Sequence, residues 1–149
     1  MEKTKFKVDY MSDKITGVVN KCEHKTLAIW AADCAEHVLA YFEEKQPNDR
    51  GPRNAIEAAR AWVRGELKMT DACIAAFASH AATREAFDDS AIAAARACGH
   101  AAAAAHVATH APHAATYAAK AVGYAKKDIN EERDWQYNRL IELYNSQNV

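Results

Sequence analysis

Little in this chain breaks a helix. Three prolines and five glycines are spread over 149 residues, and the glycines are too scattered to form a phosphate-cradling loop. Neither sign of charge is in excess. The 19 basic and 20 acidic residues leave a formal net charge of −1, which provides neither the basic footprint of a nucleic-acid binder nor the strong acidity of a nucleic-acid mimic. The four cysteines (Cys22, Cys34, Cys73, Cys98) have no CxxC spacing. Set within helical patterns, they read as small buried thiols and not as a zinc knuckle or disulfide framework, which suits a reducing cytoplasm. No apolar run is long enough to span a membrane, and the opening MEKTKFKVDYMSDK has no signal-peptide core. No segment reads convincingly as a strand, and there is no GxSxG turn to present a nucleophile.

What the chain has in quantity is alanine, above all from Ser90 to Ala125, with His100, His106, His110 and His113 set into it. Alanine is the best helix former, and its small side chain lets neighbouring backbones approach closely. We expect this stretch to be a central buried helix, broken or kinked at Pro112, where the ring removes a backbone hydrogen bond.

The other helices follow from period and punctuation. A short one is expected from Lys14 to Cys22. The next runs from Thr26 to Lys45, with Leu27, Trp30, Cys34, Val38 and Tyr41 as its apolar stripe and Asp33 and His37 flanking it. QPNDRGP ends that helix and starts another at Pro52, running to Glu66. Its core face is Ala55, Ile56, Ala59, Trp62 and Val63, opposite a solvated face that collects Arg53, Glu57, Arg60 and Arg64, where Arg53–Glu57 and Glu57–Arg60 pair along the helix. A helix capped by Thr70 runs to Ala86, with Cys73, Ala76, Phe77, His80 and Arg84 along one face. The last opens at Asp128 with Glu131 three residues on, a capping-box variant. It turns Ile129, Tyr137, Leu140 and Tyr144 inward with Arg133 and Gln136, and turns Trp135 away. The expected fold is therefore all-α: a compact bundle of six to seven helices in hairpins around the central alanine-rich helix. Residues 1–13 form a loose leader, 14–145 a single helical domain and 146–149 a frayed tail.

Three constellations are candidates for function. His106, His110 and His113 are spaced four and three apart, as imidazoles sharing a zinc or iron ion would be, although HExxH is absent and Pro112 intervenes. The favoured reading of these histidines is structural, with no cofactor. Asp33, His37, His80, Arg84, Arg96 and His100 are candidates for a buried polar network that sets which helices are neighbours, since a buried charge must be paired. Trp135, with Glu131, Glu132 and Asp134 around it, is a candidate surface for a protein partner.

Four runs, in order over Thr26 to Leu140, carry a family resemblance: LAIWAADCAEHVLAYFEEKQPNDRGPRNAIEAARAWVRGELKM, FASHAATREA, ARACGHAAAAAHVATHA and ERDWQYNRL. They resemble bacterial immunity proteins of the immunity-5-like type. The resemblance implies an all-helical cytoplasmic protein that binds and neutralises a cognate protein toxin of a polymorphic toxin system. It implies no reaction and carries over no catalytic residue. The alternatives weighed beside it are a metal-binding helical protein, which includes an enzyme, and a structural or small-ligand-binding module. The second alternative uses the groove beside the alanine-rich helix, with pairing of two copies through alanine faces and Trp135.

Overall fold

The computed structural model describes residues 11–86 and 88–147. Among them the chain forms seven α-helices and a short 3-10 turn, and no strand: α1 (Ser12–Val19), α2 (His24–Glu43), α3 (Gly51–Val63), α4 (Met69–Ala81) continued by the turn Ala82–Glu85, α5 (Asp89–Ala103), α6 (His110–Tyr124) and α7 (Ile129–Gln147). The bundle is compact and all-α, as expected. Two helices hold most of its contacts: α2 packs on α3, α5, α6 and α7, and α5 on α2, α3, α4 and α6.

The local reasons are legible residue by residue. Asp88 caps α5, its side chain accepting from Ala91 N at 3.1 Å. Asp128 Oδ1 accepts from Asn130 N at 2.9 Å and Glu131 N at 3.3 Å at the start of α7. Pro52 falls in the first turn of α3, and Gly65 takes the left-handed conformation (φ 76°) just past its end. Glu66 N then donates to Ala61 O at 2.9 Å and Gly65 N to Trp62 O at 3.0 Å.

The alanine-rich stretch is broken into two helices, but the break does not fall at Pro112. The break spans 104–109, and Pro112 is the third residue of α6. A proline there removes an N–H that has no intrahelical acceptor in any case, so the helix starts just upstream of it at no backbone cost. Ten of the fifteen residues of α5 are buried, eight of them alanine or glycine, so α5 lies close against its neighbours. The large side chains of the core come chiefly from α2: Trp30 and Phe42 have no exposure, and truncating either to alanine would cost about 3–5 kcal/mol.

Several expectations need correction. On α4 the buried residues are Ala72, Ala76 and Ser79, whereas Phe77 is 74% exposed and Ile74 66%. Three small residues suffice to seat α4 on α5, so the larger ones are turned out. Lys68 and not Thr70 precedes the helix, without a side-chain cap. Of the cysteines, Cys34 and Cys98 are buried, but Cys22 and Cys73 are partly exposed. The arginines of α3 pair across to α2 and not along their own helix. Arg53 holds Glu43 with two bonds of 2.7 and 2.6 Å, and Arg60 holds Asp33 at 3.0 Å and Glu36 at 3.1 Å. Trp62 and Val63 are only partly buried. Ser12 and Asp13 belong to α1, and Ser146 and Gln147 to α7, whose last side chain accepts from Glu23 N at 3.0 Å. The remainder of the expected leader and tail (1–10 and 148–149) lies outside the described residues.

Candidate functional site

The polar residues of α2 and α7 meet along one face. Asp33 accepts from Arg60 Nη1 at 3.0 Å and from Arg139 Nε at 2.8 Å, so one carboxylate joins α2 to both α3 and α7. One turn along α2, His37 Nδ1 lies 2.8 Å from Glu132 Oε2 and 2.7 Å from Oε1. The Glu132 side chain is only 5% exposed, and burial pushes its carboxyl above the usual range against the pull of the histidine. The ring of His37 lies flat on Trp135, with centroids 3.8 Å apart and planes 11° from parallel.

Glu132 thus fixes the His37 ring by one edge and Trp135 fixes it by one face. The pair forms a ridge between two cavities, both lined by His37 and Trp135. One, of about 370 Å³, is completed by Tyr41, Val122, Lys127, Asp128, Glu131 and Glu132. The other, also about 370 Å³, is completed by Asp33, Glu36 and Arg139. Lys127 Nζ sits 5.7 Å from the centroid of the Tyr41 ring in the first of these, so a cation already rests on its aromatic wall.

A second cluster gathers on α4, α5 and α6. His100 lies at its middle. Its Nδ1 is 3.0 Å from His110 Nδ1, and its ring centroid is 5.1 Å from that of His80, 5.4 Å from His113 and 5.2 Å from Tyr117. Burial, and then the neighbouring His80, His110, His113 and Arg96, bring the His100 pKa down to about 4. His80 and His110 are also lowered, chiefly by burial. Neutral imidazoles can donate to and accept from one another, which satisfies the cluster without a counter-charge. Beside it, a groove of about 300 Å³ between α5 and α6 is lined by Arg96, Tyr117 and Lys120 among others.

A family model, that of the Imm-5 like putative immunity protein, matches residues 17–143. The chain belongs to this family. No curated protein and no solved structure matches it. The matched span takes in the whole of α2 to α6, most of α7 and both polar clusters, so each is part of the family domain and not an appendage to it. No described helix is long and apolar enough to cross a membrane.

The structure divides the six residues expected as one network. Asp33 and His37 belong to the α2–α7 face, and His80 and His100 to the histidine cluster, with Arg96 at its edge. Arg84 is exposed on the 3-10 turn and joins neither. The histidine triplet separates too: His106 lies exposed in the 104–109 loop, while His110 and His113 are on α6. The described residues contain no group of three His, Cys, Asp or Glu side chains placed to hold a metal ion. Of the four surface residues, Glu131 and Asp134 are exposed and Trp135 is half-buried against His37, but Glu132 is buried and committed to His37. Arg60, Arg139 and Tyr117 are the residues that the sequence reading missed. For Arg60 a signal existed: Glu36 and Glu43 are seven apart on α2, as are Arg53 and Arg60 on α3, which matches an antiparallel pair of helices.

Proposed function

We propose that this chain is a cytoplasmic immunity protein that binds and neutralises a cognate protein toxin, and that the toxin docks on the α2–α7 face around Trp135. Membership of the family supports the partner class. The observation that supports the place is the stacked His37–Trp135 pair, half-exposed yet held by the buried Glu132. An aromatic side chain that is rigid before binding loses little rotamer freedom on binding, and such residues dominate interface energetics. Around it Asp128, Glu131 and Asp134 are exposed and negative, which favours a partner that presents basic side chains there. The near-neutral charge of the whole chain provides no strong long-range field, so in this reading any charge complementarity is local to the patch.

The test uses the toxin encoded beside this chain. Added in excess, the wild-type protein should abolish toxin activity and bind with a measurable Kd. Trp135→Ala should weaken binding by roughly 30-fold or more, about 2 kcal/mol, while the thermal melt stays cooperative. A toxin that stays fully active at excess protein removes the reading. A toxin that is inhibited equally by Trp135→Ala keeps the function and moves the site.

A further inference from the structure

The groove between α5 and α6 has no part in the toxin reading above. Two rows of side chains line it. Asp89, Ile92 and Arg96 follow at spacings of three and four along α5, and Tyr117, Lys120 and Tyr124 at the same spacings along α6. Such spacings put each row on one face of its helix. Arg96 meets Tyr117 across the groove, its guanidinium carbon 6.0 Å from the ring centroid. Lys120 Nζ lies 4.9 Å from the same centroid, so one ring gathers a cation from each helix. His100 backs that ring, stacked on it at 5.2 Å with planes 10° from parallel. None of the ion pairs among the described residues includes Arg96, Lys120 or Asp89. Asp89 stands two turns of α5 from Arg96, about 10 Å along the axis. The two helices run antiparallel from the 104–109 loop, so Tyr124 comes to the same end as Asp89, where its ring is 41% exposed.

We infer that this groove binds a nucleoside monophosphate, with the phosphate at Arg96 and Lys120 and the base at the Tyr124 end. Two cations drawn to one ring without a carboxylate between them repel each other. An anion seated there removes that repulsion and takes charge-assisted hydrogen bonds from both helices. A phosphate monoester carries close to two negative charges at neutral pH and matches the pair, whereas a single carboxylate leaves one cation uncompensated. The rest of the groove continues past the reach of a free phosphate. Ile92 gives the body of the ligand an apolar wall, and the Tyr124 ring offers a face on which a base can stack. Asp89 accepts from a sugar hydroxyl or a base amino group. The cavity, about 300 Å³, lies at the small end of ligand sites, which suits a mononucleotide better than a dinucleotide. No residue of the groove belongs to the α2–α7 face, so the inference stands or falls apart from the toxin reading.

Isothermal titration calorimetry at fixed ionic strength tests it, with the monophosphates of adenosine, guanosine, cytidine and uridine as probes beside inorganic phosphate and the unphosphorylated nucleosides. At least one monophosphate should bind with a Kd below about 1 mM, and its nucleoside and inorganic phosphate should each bind roughly tenfold more weakly. Arg96→Ala and Lys120→Ala should each weaken the nucleotide by roughly tenfold with unchanged circular dichroism, since neither side chain is buried. Tyr124→Ala and Asp89→Asn should weaken the nucleotide but leave inorganic phosphate as it was. No binding of any monophosphate up to about 10 mM overturns the inference. So does a nucleotide that binds the Arg96→Ala, Lys120→Ala double variant as tightly as the wild type, or inorganic phosphate that binds as tightly as the nucleotide. Loss of toxin binding in Arg96→Ala, with no nucleotide bound by the wild type, gives the groove to the toxin and likewise overturns it.

Discussion

The ring of His80 lies against the backbone of Gly99 so closely that a Cβ at position 99 would stand 2.6 Å from its Cε1 and Nε2. This contact joins α4 to α5 and brings His80 within reach of His100. Gly99 sits in the interior of a helix, where alanine is ordinarily the better residue by about 1 kcal/mol. Here the gain is outweighed. Overpacking a well-fitted site costs about 1–3 kcal/mol, and the His80 ring cannot retreat without leaving the cluster. Gly99→Ala should therefore lose up to about 2 kcal/mol net, read as a lower Tm by differential scanning calorimetry. A melt unchanged or raised would show that the ring moves aside freely.

The histidine cluster makes stability depend on pH in one direction. His100 titrates near 6.5 when unfolded and at about 4 in the folded chain, so between those values the unfolded state binds more protons. Stability is then complete above pH 6.5 and falls as the pH drops toward 4. His80 and His110, also lowered, act in the same sense. The groups that lower His100 (His80, His110, His113 and Arg96) include no acid, so none offsets the added charge. Urea melts at a series of pH values should show this slope, and His100→Gln should flatten it. A variant with the full wild-type slope would place the titration elsewhere.

Gln136 has no exposure and ties three helices together. Its Nε2 donates to Ala115 O at 2.8 Å, its Oε1 accepts from Arg133 Nη1 at 2.8 Å, and its carbonyl accepts from Trp30 Nε1 at 2.9 Å. Gln136→Leu keeps the volume and the last of these bonds. It removes the donor from a buried carbonyl and the acceptor from a buried guanidinium, which should cost about 2–4 kcal/mol. Chemical denaturation would measure this as a lower midpoint at an unchanged slope. A loss below about 0.5 kcal/mol would mean that solvent takes over both partners.

Lys126 holds the left-handed conformation (φ 65°) at the end of α6, the same position that Gly65 takes after α3. The bonds around it match as well: Lys126 N donates to Gly123 O at 3.0 Å and Lys127 N to Val122 O at 3.1 Å. A side chain in that conformation costs about 1–2 kcal/mol, part of which glycine returns through its freer unfolded chain. Lys126→Gly should raise Tm by about 2–4 °C. An unchanged or lower Tm would mean that the lysine side chain makes a compensating contact.

How much of this was legible before the structure can be judged on particular residues. Trp30, Cys34 and Val38 were placed on the core face of α2 by spacing alone, and they are buried. Arg133, Gln136 and Leu140 were placed inward on α7 and are buried too. Phe77 was placed on one face of α4 with Ala76 by the same reasoning, yet Ala76 is buried and Phe77 is 74% exposed. The difference is contrast. The faces of α2 and α7 set large apolar residues against charges, whereas α4 is apolar on nearly every side, so periodicity has nothing to choose between.

The amino-acid sequence alone determined that this protein is helical, where most of its helices lie, and which family it belongs to. Composition, caps and glycine or proline punctuation act within a few residues of the chain, and short-range effects of that kind are written directly in its order. The tertiary structure alone decided that five of the six expected polar partners divide into two clusters while Arg84 joins neither, that Glu132 is buried beneath His37, and that α4 turns its largest side chains outward. Each of these depends on which helices become neighbours. In a bundle packed largely through alanine, close backbone contact sets that choice, and alanine looks the same from every side.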